Sequence, residues 1–225
     1  VFQGGLHDSD SLSKACFEVD TVFHLAALTH SSSRKAYFEI NEEGTKNLIT
    51  ACREKNVRRF IFVSSVAASE EGGDYGVSKL RCEELVQKSG LDWVILRPSE
   101  VYGVEMEEGI GKLVAWVKKF PIIPVIGDGT YFLSPVSVDD VVQIMVEVLR
   151  SDSIIKETLN LCGPEKMTMN ELIDRLAKIQ KVQIKKIFLP IWFVRVGIGI
   201  LSVFKSGLAF SDQIPRLLCR KDQSI

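Results

Sequence analysis

The chain has 225 residues, 46% hydrophobic and 25% charged, with a formal net charge of −1 and a pI near 6.4. That composition suits one good core, or a core with a smaller lobe. It excludes a basic nucleic-acid binder and an acidic tail, so no nucleic-acid partner is expected.

Residues 1–3 (Val1-Phe2-Gln3) read as a short strand closed by a Gly4-Gly5-Leu6-His7-Asp8 turn. Residues 9–17 suit a short helix with Ser9 or Asp10 as N-cap. Residues 20–27 are a second strand that ends in small residues, which allow close backbone approach by a ligand. Residues 34–55 are a long helix, with Tyr37, Ile40, Leu48, Ala51 and Cys52 on one stripe. Gly44 inside it costs about 1 kcal/mol against Ala; it marks either close packing or a tolerated weak point. Residues 60–63 are continuously apolar, as expected of a strand covered on both faces, and deliver Ser64 and Ser65 to its end. A turn-rich loop leads to a helix over 75–88. Residues 93–96 are a fourth strand, ended by Arg97-Pro98. Alternating strands and helices predict an α/β fold with a parallel sheet and crossover helices.

Beyond Tyr102-Gly103 the pattern changes. Helices are expected over 112–120, 141–150 and from the Thr168–Glu171 capping box to 179. Strands are expected over 122–126 and 158–162, with extended chain over 131–138. Asp139 and Asp140 read as structural, because a helix N-terminus favours carboxylates. Residues 187–204 form the most apolar run. They read as a helix packed in the smaller lobe; the alternatives are a helix on a membrane surface and a span, and Arg195 and Pro190 weigh against spanning. Five scattered cysteines without CxxC read as free thiols in a reducing, cytoplasmic compartment. Three histidines at no ligand spacing point to no metal site.

Tyr75 and Lys79 share one helix face, and a serine hydroxyl at the end of the preceding strand can face them. This is equipment for moving a proton on or off an alcohol beside a hydride acceptor. The alternative is an exposed helix start with a solvated lysine.

Six motifs stand in order: VFHLAA (22–27), NEEGTKNL (41–48), FVSS (62–65), YGVSK (75–79), LRPSEVYG (96–103), and GDG (127–129) followed by VSVDDV (136–141). Together they resemble the extended short-chain dehydrogenase/reductase family, the NAD-dependent epimerase/dehydratase group. The resemblance implies a Rossmann-like, doubly wound parallel sheet over 1–103. It also implies a smaller, mostly helical substrate lobe over 104–225, interleaved with the last sheet elements at about 131–162. It further implies NAD or NADP as cofactor and an alcohol or ketone substrate, such as a nucleotide sugar. Tyr75 would be the general acid/base, and Lys79 would favour the phenolate and hold the nicotinamide ribose. Ser65 would hold the substrate oxygen, with Ser64 beside the cofactor. Leu6, Leu25, Ala26, Ala27, Thr29, Asn41, Pro98 and Ser99 would contact the cofactor, where the alternatives are sheet packing, a solvated Asn and a strand terminator. The family often dimerises through helices matching 34–55 and 75–88, so a homodimer is implied.

The chain departs from the family pattern in three places. It holds no G-x-x-G-x-x-G phosphate loop, so it reads as a piece of a longer protein or a truncated form, with weak or no NAD binding of its own. Gly5 stands where the family commonly has Asp, which removes a contact to adenine. Glu100, a candidate on the substrate side, stands where sugar-nucleotide enzymes often carry Asn. Two other readings stay open: a non-catalytic subunit of a larger complex, and a membrane-associated hydroxysteroid-type dehydrogenase.

Overall fold

Strand β2 (Arg59–Val63) is apolar from Phe60 onward and is covered on both faces. It lies between β1 (Thr21–His24) and β3 (Asp92–Pro98), and β8 (Glu157–Leu161) completes a four-stranded sheet of order β1-β2-β3-β8. All three pairings are parallel. The computed structural model describes residues 3–104, 109–194 and 213–219. Side chains alternate across the sheet. Phe60, Phe62 and Ile95 pack on one face with Leu48, Ile49 and Cys82, whereas Ile61, Val94 and Leu96 pack on the other with Val136, Val141 and Val148. Each such fully buried side chain contributes roughly 1.5–3 kcal/mol.

The first face is covered by α1 (Ser9–Ala15), α3 (Gly44–Glu54) and α4 (Gly73–Gln87). Helix α1 is capped by Asp8, whose carboxylate accepts from Ser11 N, and not by Ser9 or Asp10. The expected long helix over 34–55 is α2 (Arg34–Tyr37), a π-helical turn (Phe38–Glu43) and α3 in sequence. The wide turn carries Asn41, which is buried. Gly44 is a close-packing glycine, since a Cβ there would sit 2.8 Å from the Leu6 side chain. The other face is covered by α6 (Val138–Arg150), which Ser137 caps and whose first turn holds Asp139 and Asp140.

Between β3 and β8 the chain makes β4 (Val101–Tyr102), α5 (Ile110–Lys119), β5 (Ile122–Ile126), β6 (Phe132–Leu133) and β7 (Val136–Ser137). After β8 come β9 (Met167–Thr168), α7 (Met169–Gln180) with its Thr168–Glu171 capping box, and β10 (Lys185–Leu189). Val117, Ile123, Val125, Ile173 and Ala177 form a second core here. The start of the apolar run 187–204 is therefore strand and not helix: β10 pairs in parallel with β5, and Pro190 ends it. Helical structure begins at Ile191, and 195–204 lie outside the described residues, as do residues 1–2 of the expected first strand. A short helix, α8 (Gln213–Leu218), packs on α4. No helix among the described residues is long and apolar enough to cross a membrane.

Candidate active site

The C-terminal edge of a parallel sheet gathers the loops that leave its strands. The loop after β2 and the start of α4 meet there closely. A Cβ on Gly76 would lie 2.3 Å from the Ala67 carbonyl oxygen, so only glycine lets the helix approach the serine loop. Ser65 Oγ accepts from Ala67 N at 3.1 Å, which fixes the loop and leaves the hydroxyl proton available.

Tyr75 and Lys79 lie one turn apart on the buried face of α4. Lys79 is 2% exposed. Its Nζ donates to Val63 O at 2.8 Å and sits 4.1 Å from the centre of the Phe62 ring. That carbonyl is its one hydrogen-bond acceptor among the described residues, so two of three ammonium donors remain at a buried position. This donor set fits a diol such as a nucleotide ribose. Burial lowers Lys79 from 10.5 to about 8, against the opposing pull of Cys82 and Glu83. Tyr75 packs edge-on to Tyr37, with ring centroids 6.2 Å apart. The Arg216 guanidinium of α8 lies 3.9 Å from the Tyr75 ring centre, and its Nη1 donates to Thr29 O at 2.8 Å.

Several expected cofactor contacts have other partners. Ser64 is buried, and its hydroxyl donates to Glu83 Oε1. Glu83, 2% exposed, also takes a bidentate contact from Arg97 Nε and Nη2. Asn41 is neither solvated nor open to a ligand: Oδ1 accepts from Leu28 N at 2.7 Å, and Nδ2 donates to Leu28 O and to Ser78 Oγ. Ser78 Oγ in turn donates to Tyr75 O at 2.8 Å. Asn41 thus ties the loop after β1 to the helix that carries Tyr75. Ser99 Oγ donates to Ser134 O, and Pro98 O accepts from Val66 N, so both lock neighbouring loops together. Leu6 packs against the first core, and its carbonyl accepts from Asn47.

Leu25, at 56%, and Ala26 and Thr29 are exposed where β1 ends, and Ala27 is half-buried beside them. His24, just before them, is buried, with Nε2 2.9 Å from Thr45 Oγ1. Burial and the Lys79 charge hold it at about 3, so its imidazole is neutral at pH 7. Glu100 neighbours Tyr131, which burial and that carboxylate push up to about 12. No group of three metal-ligating side chains occurs among the described residues.

Glu83 was legible in part, because Tyr75, Lys79 and Glu83 recur every four residues on one face of α4. Nothing local marks Arg216, which lies 187 residues from Thr29.

The NAD dependent epimerase/dehydratase family model matches residues 1–162. The UDP-glucose 4-epimerase of Vibrio cholerae is 25% identical over 240 residues, covering 95% of this chain and 71% of its own. The mitochondrial NADH dehydrogenase [ubiquinone] 1 alpha subcomplex subunit 9 of Arabidopsis thaliana is 28% identical over 170 residues, covering 74% of this chain and 42% of its own. Among solved structures, the UDP-glucuronic acid 4-epimerase from Bacillus cereus in complex with NAD superposes with a TM-score of 0.75 and 27% identity, covering 83% of this chain and 68% of that one. The chain thus spans between two fifths and seven tenths of these relatives' lengths.

Proposed function

The chain belongs to the NAD dependent epimerase/dehydratase family, and from that premise we propose that its site moves a proton on and off a sugar hydroxyl during NAD-dependent epimerisation or dehydration of a nucleotide sugar. The observation that carries this reading is the buried Tyr75–Lys79 pair, with two ammonium donors uncommitted. When bound, the nicotinamide accepts and returns a hydride.

Tyr75 exchanges the hydroxyl proton. A free phenol near pKa 10 is a poor base at neutral pH, and the cations at Lys79 and Arg216 favour its phenolate. Lys79 holds the ribose diol with its remaining donors. Ser65, half-buried and fixed through Ala67 N, orients the substrate oxygen. The main chain of Leu25, Ala26, Ala27 and Thr29, together with Leu6, lines the cofactor. Asn41, Ser64, Pro98 and Ser99 act as positioning residues through the bonds described above. The lobe of α5, β5, α7 and β10 carries the substrate's nucleotide, and Glu100 faces the sugar side.

The test is incubation of the full-length protein with NAD and a panel of UDP-hexoses, followed by proton NMR of the sugar C4 position. Interconversion of C4 epimers, or loss of water from the sugar, supports the reading; NAD binding without turnover of any member overturns it. The likeness to a subunit of NADH dehydrogenase [ubiquinone] supports a second reading, a non-catalytic NAD-binding subunit, which predicts that second outcome.

A further inference from the structure

Among the described residues Glu83 is the one buried carboxylate, and it follows Lys79 by one turn of α4, as Lys79 follows Tyr75. A buried charge persists only where it is paired and hydrogen-bonded. Glu83 meets that need from two strand ends at once. Its Oε1 accepts from Ser64 Oγ, just after β2, and from Arg97 Nε of β3 at 2.9 Å, and its Oε2 accepts from Arg97 Nη2. An ion pair in such a place adds little net stability over apolar side chains of the same volume. What a bidentate pair adds is fixed geometry.

That geometry falls on the loop that carries Ser65. Ser64 N donates to Leu96 O at 2.7 Å, and Val66 N donates to Pro98 O at 3.1 Å. Ser65 is therefore pinned on both sides to the end of β3, the segment that Arg97 ties to Glu83. Ala67 N donates to Ser65 Oγ at 3.1 Å and Ala68 N to Ser65 O at 3.0 Å, which closes the loop on Ser65 itself. On the helix side, Lys79 Nζ takes the carbonyl of Val63, and Glu83 takes the hydroxyl of the next residue, Ser64. Two side chains one turn apart on α4 thus set the helix against the end of β2. Burial works against the Lys79 charge; Cys82 and Glu83 work for it.

We infer that Glu83 is a positioning residue for the proton transfer: through Ser64 and Arg97 it holds the Ser65 hydroxyl where Ser65 and Tyr75 reach the same substrate oxygen. This role rests on the proton-transfer reading of Tyr75 given above. A misplacement of about 1 Å in a reacting site costs about 100-fold in rate, so a loosened serine loop reaches kcat without touching the groups that bind.

The test pairs amide hydrogen exchange with turnover in the full-length protein, for wild type, Glu83→Gln and Ser64→Ala. Gln keeps the side-chain length and one acceptor but loses the charge and the bidentate grip. Ser64→Ala removes one hydroxyl, leaves the Glu83–Arg97 pair in place, and carries the test alone where the Glu83 variant does not fold. The expected result is exchange at least about tenfold faster at Val66, Ala67 and Ala68, with Ile61 and Phe62 in the centre of β2 still protected. On the UDP-hexose that the wild type converts, kcat falls about 10- to 100-fold, with KM and NAD affinity unchanged. Faster exchange spread evenly over β2 and the loop would make Glu83 a general stabiliser and overturns the inference. So does unchanged exchange in both variants, or a loosened loop with wild-type kcat. A loosened loop in a protein whose wild type turns over no substrate overturns the proton-transfer reading itself, and the positioning role falls with it.

Discussion

Replacing Lys79 by Met should make the protein more stable and inactive. The ammonium is 2% exposed and is held at about 8 instead of its ordinary 10.5, chiefly by burial. Each pH unit of that difference is worth about 1.4 kcal/mol, so the charged side chain costs the fold about 3 kcal/mol at pH 7. Met fills a similar volume and carries no charge, but it forfeits the hydrogen bond to Val63 O, worth about 1 kcal/mol. The net gain is about 2 kcal/mol, or roughly 4–8 °C in melting temperature for a chain of this size. The sign reverses with pH in a defined way. Below 8 both folded and unfolded Lys79 are protonated and the cost is complete. Between 8 and 10.5 the unfolded chain binds the extra proton, so wild-type stability gains on the variant as pH rises. The assay is urea or thermal denaturation of both proteins at pH 7 and about pH 10, beside a turnover assay. A variant less stable than wild type at pH 7, or a stability difference that does not change between the two pH values, would show that burial does not penalise the Lys79 charge.

Three other substitutions probe the neighbours. Glu83→Ala removes the shared partner of Ser64 and Arg97. Arg97 keeps 27% exposure, which places the loss at the lower end of the range for a broken buried pair, about 3 kcal/mol; a loss under about 1 kcal/mol in urea denaturation would show that the network is dispensable. His24 is held at about 3 against an ordinary 6.5, so its contribution is complete above 6.5 and is lost as pH falls toward 3. His24→Gln should therefore flatten the acid limb of the stability curve, and an unchanged limb contradicts the assignment. Arg216→Ala removes the cation over the Tyr75 ring and should move the basic requirement in the pH–rate profile upward while circular dichroism stays the same; an unshifted profile would make Arg216 a purely structural contact.

The sheet was readable because Phe60-Ile61-Phe62 and Val94-Ile95-Leu96 have no polar residue to place on a wet face. Tyr75 and Lys79 were readable because their spacing on a helix fixes a common face whatever surrounds them. What escaped depends on partners distant in the chain. Asn41 reads as a surface or ligand-facing amide until the π-turn aims it at Leu28 and Ser78. Ser64 follows the same strand as Ser65, but its hydroxyl meets Glu83 from α4. Residues 187–189 are as apolar as a helix core, and only the ladder with β5 makes them a strand. Arg216 reaches Tyr75 and Thr29 from the far end of the chain, a contact that no local periodicity encodes.

In the proposed reaction Tyr75 carries the proton. In the full-length protein, Tyr75→Phe keeps the ring and its packing on Tyr37 but removes the hydroxyl. Measured on whichever UDP-hexose the wild type converts, kcat should fall by about 100-fold or more, with NAD affinity and melting temperature unchanged. Turnover at the wild-type rate would show that another group carries the proton.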